Sequence, residues 1–185
     1  MRFAPLFTLS TLLLSALFLT SCSDKPQENS EIPSVKFTLE DTTQKEYTVH
    51  KQGRTITIDE AKGKVLIFDI FATWCPSCKV IAPHLGHIQE KYGDSVQVLG
   101  ILIEEGKPHS YAIEFAQKYG ATYPISNSED NRELAGRIAA DMRQPRSFPI
   151  PLVVMYDQKG EYFRHYVGAV PEEMIERDVA TLLGQ

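Results

Sequence analysis

Apolar residues fall along this chain in three regimes. From Leu6 to Leu19 the sequence is an uncharged, leucine-rich run broken only by serine, threonine and similarly small or apolar residues, with Arg2 ahead of it. From Ser23 to about Pro33 it is polar, carries Pro, Asn, Gln and Glu, and has no apolar stripe. Such a segment cannot bury enough surface to offset the entropy of ordering, and it reads as a flexible tether. From Val35 onward the apolar positions become periodic, and the period changes several times.

Val35-Lys36-Phe37-Thr38-Leu39 alternates and predicts a strand. Tyr47-Thr48-Val49 and Thr55-Ile56-Thr57-Ile58 predict two more, with Gly53 at the turn between them. Val65 to Phe71 is a continuous apolar run with one acid, Asp69, inside it, the pattern of a central strand covered on both faces. After Cys75 the period becomes helical: Val80, Ile81, Leu85 and Ile88 recur at three- and four-residue steps until Gly93. Val96 to Ile103 predicts another buried strand. Tyr111 to Tyr119 predicts a helix stopped by Gly120, Tyr123-Pro124-Ile125 a short extended piece, and Glu129 to Met142 a helix capped by Ser128. Leu152 to Tyr156 predicts a third buried strand. Tyr162 to Val167 is its hairpin partner across the Gly160 turn, and Pro171 opens a last helix at its first position. Strands alternating with helices and closed by a hairpin describe an α/β sandwich around a mixed central sheet.

Charge and cysteine content narrow the function. The net charge is −5 and no basic cluster is evident, which argues against a nucleic-acid partner. Three cysteines are too few, and too closely placed, for a disulfide-stapled mini-protein. Cys22 ends the apolar N-terminal run, whereas Cys75 and Cys78 form a Cys-Pro-Ser-Cys motif where a buried strand gives way to a helix.

That placement matters chemically, because only a thiolate attacks a disulfide. The first turn of a helix offers unpaired N–H groups and partial positive charge, which lower the pKa of Cys75. Two intervening residues bring Cys78 one turn along, within reach of a disulfide with Cys75. Cys75 would form a mixed disulfide with a substrate, and Cys78 would resolve it. The rival reading of a CxxC motif is half a zinc site. It would need two more ligands, for which His84 and His87 are the candidates. Their polar neighbours make them helix-surface histidines instead, and no metal or other cofactor is expected. His50, His109 and His165 are isolated and carry no assigned role.

The run Leu6–Leu19 is shorter than the ~18 residues of a spanning helix and has the form of a signal peptide. With Leu19-Thr20-Ser21-Cys22 after it, the segment resembles the bacterial lipoprotein signal. The resemblance implies cleavage before Cys22, lipidation of that residue, and a place in the cell envelope, facing the periplasm or extracytoplasmic space. Ser23 after Cys22 leans toward the outer membrane in Gram-negative sorting, and which membrane stays open. The expected organisation is a signal peptide over 1–21, lipidated cysteine and tether over 22–33, and one domain over 34–185.

The segment from Phe68 to Pro83 resembles thioredoxin nearly residue for residue. Asp69 lies six positions before the first cysteine, Trp74 directly precedes the motif, and Pro83 sits where thioredoxin kinks its active-site helix. Ile150-Pro151, with Gly160 nine residues after the proline, is similar to the cis-proline segment of TlpA/ResA-like proteins, the membrane-tethered branch of that superfamily. The opening strands and the extra helix before Ile150 also resemble that branch.

The resemblance implies a thioredoxin-like fold, a mixed central sheet flanked by helices, with an N-terminal β-hairpin extension. It implies a disulfide reductase with Cys75 as nucleophile, Cys78 as resolving thiol and Asp69 as buried acid–base. Trp74, Pro76, Ile150 and Pro151 would support them. Pro149 competes with Pro151 for the cis position. Thioredoxin pairs its acid with a lysine on the adjacent strand, and Val96 to Ile103 contains none. Many TlpA/ResA-like proteins place a glutamate one turn after the second cysteine, where this chain has Ile81. That leaves Asp69 as the one candidate for the proton.

Pro76-Ser77 brings no charge into the motif, and Ile150 is closer to thioredoxin than to the oxidases. Both favour a reductant. The resemblance further implies exported protein substrates with disulfides, apocytochrome c among them, a membrane thiol reductase as electron donor, and a monomer. The alternatives are a disulfide-forming oxidase on the same fold and a copper-binding chaperone, whose relatives space their cysteines by three residues.

Overall fold

The computed structural model describes residues 32–185. The signal segment, Cys22 and most of the tether lie outside the described residues. At its described end the tether touches the domain, since the Gln52 side-chain amide donates to the Ile32 carbonyl at 2.9 Å.

Three strands open the domain: β1 (Ser34–Glu40), β2 (Glu46–Gln52) and β3 (Thr55–Ile58). They form an antiparallel sheet of their own in the order β1-β2-β3, the three strands that the alternation predicts and the N-terminal extension that the resemblance implies. A single 3-10 turn at Asp59–Ala61 follows, which the periodicity did not predict. Next come β4 (Val65–Phe71), α1 (Pro76–Tyr92), β5 (Val96–Leu102), α2 (His109–Tyr119) and β6 (Ile125–Ser126). The chain ends with α3 (Asn131–Asp141), β7 (Leu152–Tyr156), β8 (Tyr162–Val167) and α4 (Glu172–Leu183). The second sheet has the order β6-β5-β4-β7-β8, parallel across β4, β5 and β6 and antiparallel from β7 onward.

The sheet's two faces are read from alternation along its strands. Val65, Ile67 and Phe71 of β4 pack with Val96 and Val98 of β5 against α1, α2 and α4. Leu66, Phe68 and Ile70 face the other way, against α3 and the three-stranded sheet. Covered on both sides, β4, β5 and β7 are buried along their whole length, the physical reason their sequences read as unbroken apolar runs. The two sheets are joined at Gly160, whose carbonyl accepts the Ile56 N–H at 2.8 Å. Its φ is +81°, and a Cβ there would stand 2.1 Å from the Ile56 carbonyl oxygen, so a side chain is excluded twice over.

Local chemistry differs from expectation in three places. Ser128 does not cap α3; its hydroxyl accepts the Glu40 N–H at 2.7 Å and ties β1 to the β6 end of the main sheet. Pro171 is the residue before α4 rather than its first, with an extended ψ of 140°. His84 is half-buried, its Nδ1 3.2 Å from the Val170 carbonyl, while His87 is exposed and pairs with Glu172. Tertiary partners took these polar atoms, and periodicity carries no information about partners far along the chain.

Candidate active site

β4 runs through the centre of the main sheet, and beyond its C-terminal end and the buried Ala72 the chain reaches the surface at Thr73-Trp74. The next residue, Cys75, is the N-cap of α1, in extended conformation (φ −75°, ψ 119°), and Pro76 occupies the first helical position. A proline is tolerated there because its missing N–H has no intrahelical acceptor anyway. The backbone N–H of Cys78 donates to Cys75 Sγ at 3.3 Å, so the sulfur does what a serine or aspartate oxygen does at an N-cap. The Ser77 hydroxyl is 3.4 Å from the same sulfur. Cys75 and Cys78 are joined in a disulfide, with their Cα atoms 5.3 Å apart.

Access to the two sulfurs is unequal. Cys75 retains 3 % exposure and Cys78 none, which fits an outer attacking thiol and an inner resolving one. Trp74 stands out beside them, 64 % exposed. The Ile150–Pro151 bond is cis, and the bond to Pro149 is not. The Ile150 carbonyl oxygen lies 3.7 Å from Cys75 Sγ. In the disulfide that sulfur has no proton to give, so the approach is a contact and not a hydrogen bond. Trp74 and Ile150 also line a groove of about 490 Å³ that continues over Ile103 and Phe148 and is flanked by Arg132 and Arg146.

Asp69 is completely buried, on the Ile67/Phe71 face of β4 that packs against the cysteine-bearing helix. Its Oδ2 accepts the Tyr123 hydroxyl at 2.7 Å, and its Oδ1 has no hydrogen-bond partner among the described residues. Burial pushes its pKa up from the ordinary 3.8 to about 7, against the opposing pull of the Tyr123 hydrogen bond. Ile81, where relatives with a glutamate would place it, is fully buried in the cluster that also holds Cys75 and Cys78.

Two residues of the site were not among those singled out from the sequence. Tyr123 was read only as part of an extended piece. Glu104, just beyond β5, accepts both the backbone N–H of Thr73 at 2.5 Å and its hydroxyl at 2.7 Å, and so ties down the turn that presents Trp74 and Cys75. Nothing in the local pattern around either residue marks it. Cys22 lies outside the described residues. Among the described residues, no group of three or more His, Cys, Asp or Glu is placed to hold a metal ion.

The Redoxin family model matches residues 27–183, nearly the whole domain and all of the site. The chain belongs to the Redoxin family. With its cysteine pair at a helix N-terminus, this Redoxin domain is a thiol–disulfide oxidoreductase. It is similar to the thiol-disulfide oxidoreductase ResA of Halalkalibacterium halodurans, at 24% identity over 95% of this chain and 90% of the relative. It is also similar to the ResA of Bacillus subtilis, at 26% identity over 80% of this chain and 72% of the relative. Among solved structures, a thiol:disulfide interchange protein of the thioredoxin family from Chlorobium tepidum superposes with a TM-score of 0.64. It is 20% identical and covers 83% of this chain and 97% of that one. The Redoxin domain therefore has the thioredoxin-like fold that its sequence resembles.

Proposed function

We propose that this protein is a disulfide reductase of the bacterial cell envelope, lipidated at Cys22, that reduces disulfides in exported proteins. The observation that carries the direction of electron flow is the set of groups around Cys75 Sγ. Among the described residues its polar contacts are one backbone N–H, one serine hydroxyl and one backbone carbonyl, with no histidine or cation. A helix terminus alone stabilises a thiolate moderately, which keeps the dithiol a willing electron donor.

In the forward cycle the Cys75 thiolate attacks a client disulfide and the first client sulfur leaves. Cys78 then attacks Cys75, the Cys75–client bond breaks, and the pair closes as the disulfide. Two electrons pass to the client, and a membrane thiol reductase returns the domain to the dithiol. The groove beside Trp74 and Ile150 gives the client polypeptide a place to lie, with its apolar side chains over Phe148 and Ile103. Apocytochrome c, whose haem-binding cysteines must be reduced, is a client of the right chemistry. A single acyl chain anchors weakly, and the several chains of a bacterial lipoprotein hold the protein at the membrane as a monomer on its tether.

The test uses the domain from Ser23 onward. It should reduce insulin with dithiothreitol as donor, Cys75→Ser should abolish this, and Cys78→Ser should accumulate mixed disulfides. The Cys75–Cys78 potential should lie below about −200 mV, with the Cys75 pKa near ~6–7. A potential near about −120 mV would reverse the proposed flow and make the protein an oxidase.

A further inference from the structure

Asp69 of β4 stands in register with Gly100 of β5. A Cβ on Gly100 would lie 2.9 Å from Ile125 Cγ1, 3.2 Å from Tyr123 Cε2 and 3.3 Å from Phe71 Cε1. The bare glycine is thus the gap over which the Tyr123 ring passes to reach β4. The tyrosine is 4 % exposed and the aspartate 0 %, and the hydroxyl and carboxylate meet at 2.7 Å. One carboxylate oxygen is held and the other, Oδ1, has no partner, on the face of the sheet that packs against Cys78.

We propose that Tyr123 is a positioning residue for Asp69, holding Oδ2 so that the ionised carboxylate presents Oδ1 to the proton of Cys78 during resolution. This rests on the reductase cycle described above. In that step Asp69 takes the Cys78 thiol proton and the freed sulfur attacks Cys75 Sγ. The Cys75–client bond breaks, and the electron pair leaves on the client sulfur, which takes a proton from water. Tyr123 keeps its own proton, because burial and the neighbouring carboxylate hold its pKa well above the ordinary 10. Where thioredoxin uses a lysine from the adjacent strand, a neutral donor here comes from the bend just before β6, one strand beyond β5, and crosses Gly100.

The titratable surroundings of Asp69 are few. The inward face of β5 carries Val96, Val98, Gly100 and Leu102, and that of β7 carries Val153 and Met155. Cys78 comes from α1 and Cys75 from its N-cap. Tyr166 of β8 shares the cluster, with its hydroxyl committed to Asp178 at 2.6 Å. In the disulfide form burial raises the Asp69 pKa and the Tyr123 hydrogen bond lowers it.

Tyr123→Phe removes a single oxygen and keeps the ring. In the oxidised protein, where neither cysteine titrates, the Asp69 carboxyl carbon should titrate about one unit or more higher by NMR, since a hydrogen bond to the charged form is lost. In the reduced protein the acidic limb of the resolution rate should move up by the same amount and keep its high-pH plateau. In an Asp69→Asn background, Tyr123→Phe should leave the pH profile unchanged. Superimposable titrations of wild type and Tyr123→Phe would overturn the proposal. Should the variant fail to fold, the wild-type Tyr123 hydroxyl proton resonance decides: it should shift with the Asp69 midpoint, and a pH-independent resonance overturns the proposal. A wild type without reductase activity would sink the reductase reading instead, while the carboxyl titration still reports on the tyrosine.

Discussion

Asp69→Asn should make the protein more stable at pH 8, an advantage that shrinks and reverses toward pH 4. Burial pushes the carboxyl up to about 7 in the folded protein against an ordinary 3.8. Between those values the folded state holds a proton that the unfolded state has lost. Stability therefore falls as pH rises through that window and levels off above about pH 7. The interval of about three units, at about 1.4 kcal/mol each, amounts to roughly 4 kcal/mol of destabilisation by pH 8. Asparagine carries no charge to desolvate. Its oxygen still accepts the Tyr123 hydroxyl, but its amide group takes the place of Oδ1, which has no partner. That leaves an offset of about 1–3 kcal/mol, one with little pH dependence. The informative quantity is therefore the change in the wild-type-to-variant difference between pH 4 and pH 8. Urea unfolding of the oxidised forms measures it free of thiol titration, and the histidines cancel because both proteins carry them. With a urea slope of about 2 kcal/mol per molar, the relative midpoint should move by about 2 M in favour of Asp69→Asn. Parallel pH profiles for the two proteins would show that Asp69 is solvated or paired, and would refute the buried-carboxylate reasoning. In the reduced enzyme the same variant should slow resolution by Cys78 more than attack by Cys75.

Three further outcomes are expected. Glu104→Ala leaves the Thr73 N–H and hydroxyl without their acceptor and should cost about 1–3 kcal/mol in urea unfolding; a change below about 0.5 kcal/mol would mean the turn before Trp74 holds itself. Gly100→Ala forces Ile125 and Tyr123 to give way and should destabilise by about 1–3 kcal/mol, with the Asp69 carboxyl titrating higher as the tyrosine is displaced; an unshifted titration would show that the ring does not need the gap. The full chain made in a bacterium should fractionate with membranes and take up labelled palmitate, and Cys22→Ala should stop both labelling and processing; a soluble, unlabelled wild type would remove the lipoprotein reading.

Most of the architecture was legible because it rests on local periodicity. Val65–Phe71, Val96–Leu102 and Leu152–Tyr156 are buried on both faces, so each shows as an unbroken apolar run whatever its neighbours are. The Cys-Pro-Ser-Cys motif was equally plain, because a thiolate at a helix N-terminus needs only residues adjacent in the chain. The missing lysine on Val96–Leu102 was visible too, but not what replaces it. Tyr123 reaches Asp69 across 54 positions of sequence, through a gap that exists because Gly100, and no larger residue, falls in register with the acid. Glu104 meets Thr73 across 31 positions, where the ends of β4 and β5 come together. Ser128 was drawn away from its own helix by Glu40, 88 positions earlier. Amino-acid order by itself determined which segments fold as strands and helices and where the sulfur chemistry sits, since those depend on backbone propensity and burial pattern. Strand register and packing alone decided which side chains hold the turn and the buried acid, because a hydrogen bond spans about 3 Å in space and carries no trace of its span in sequence.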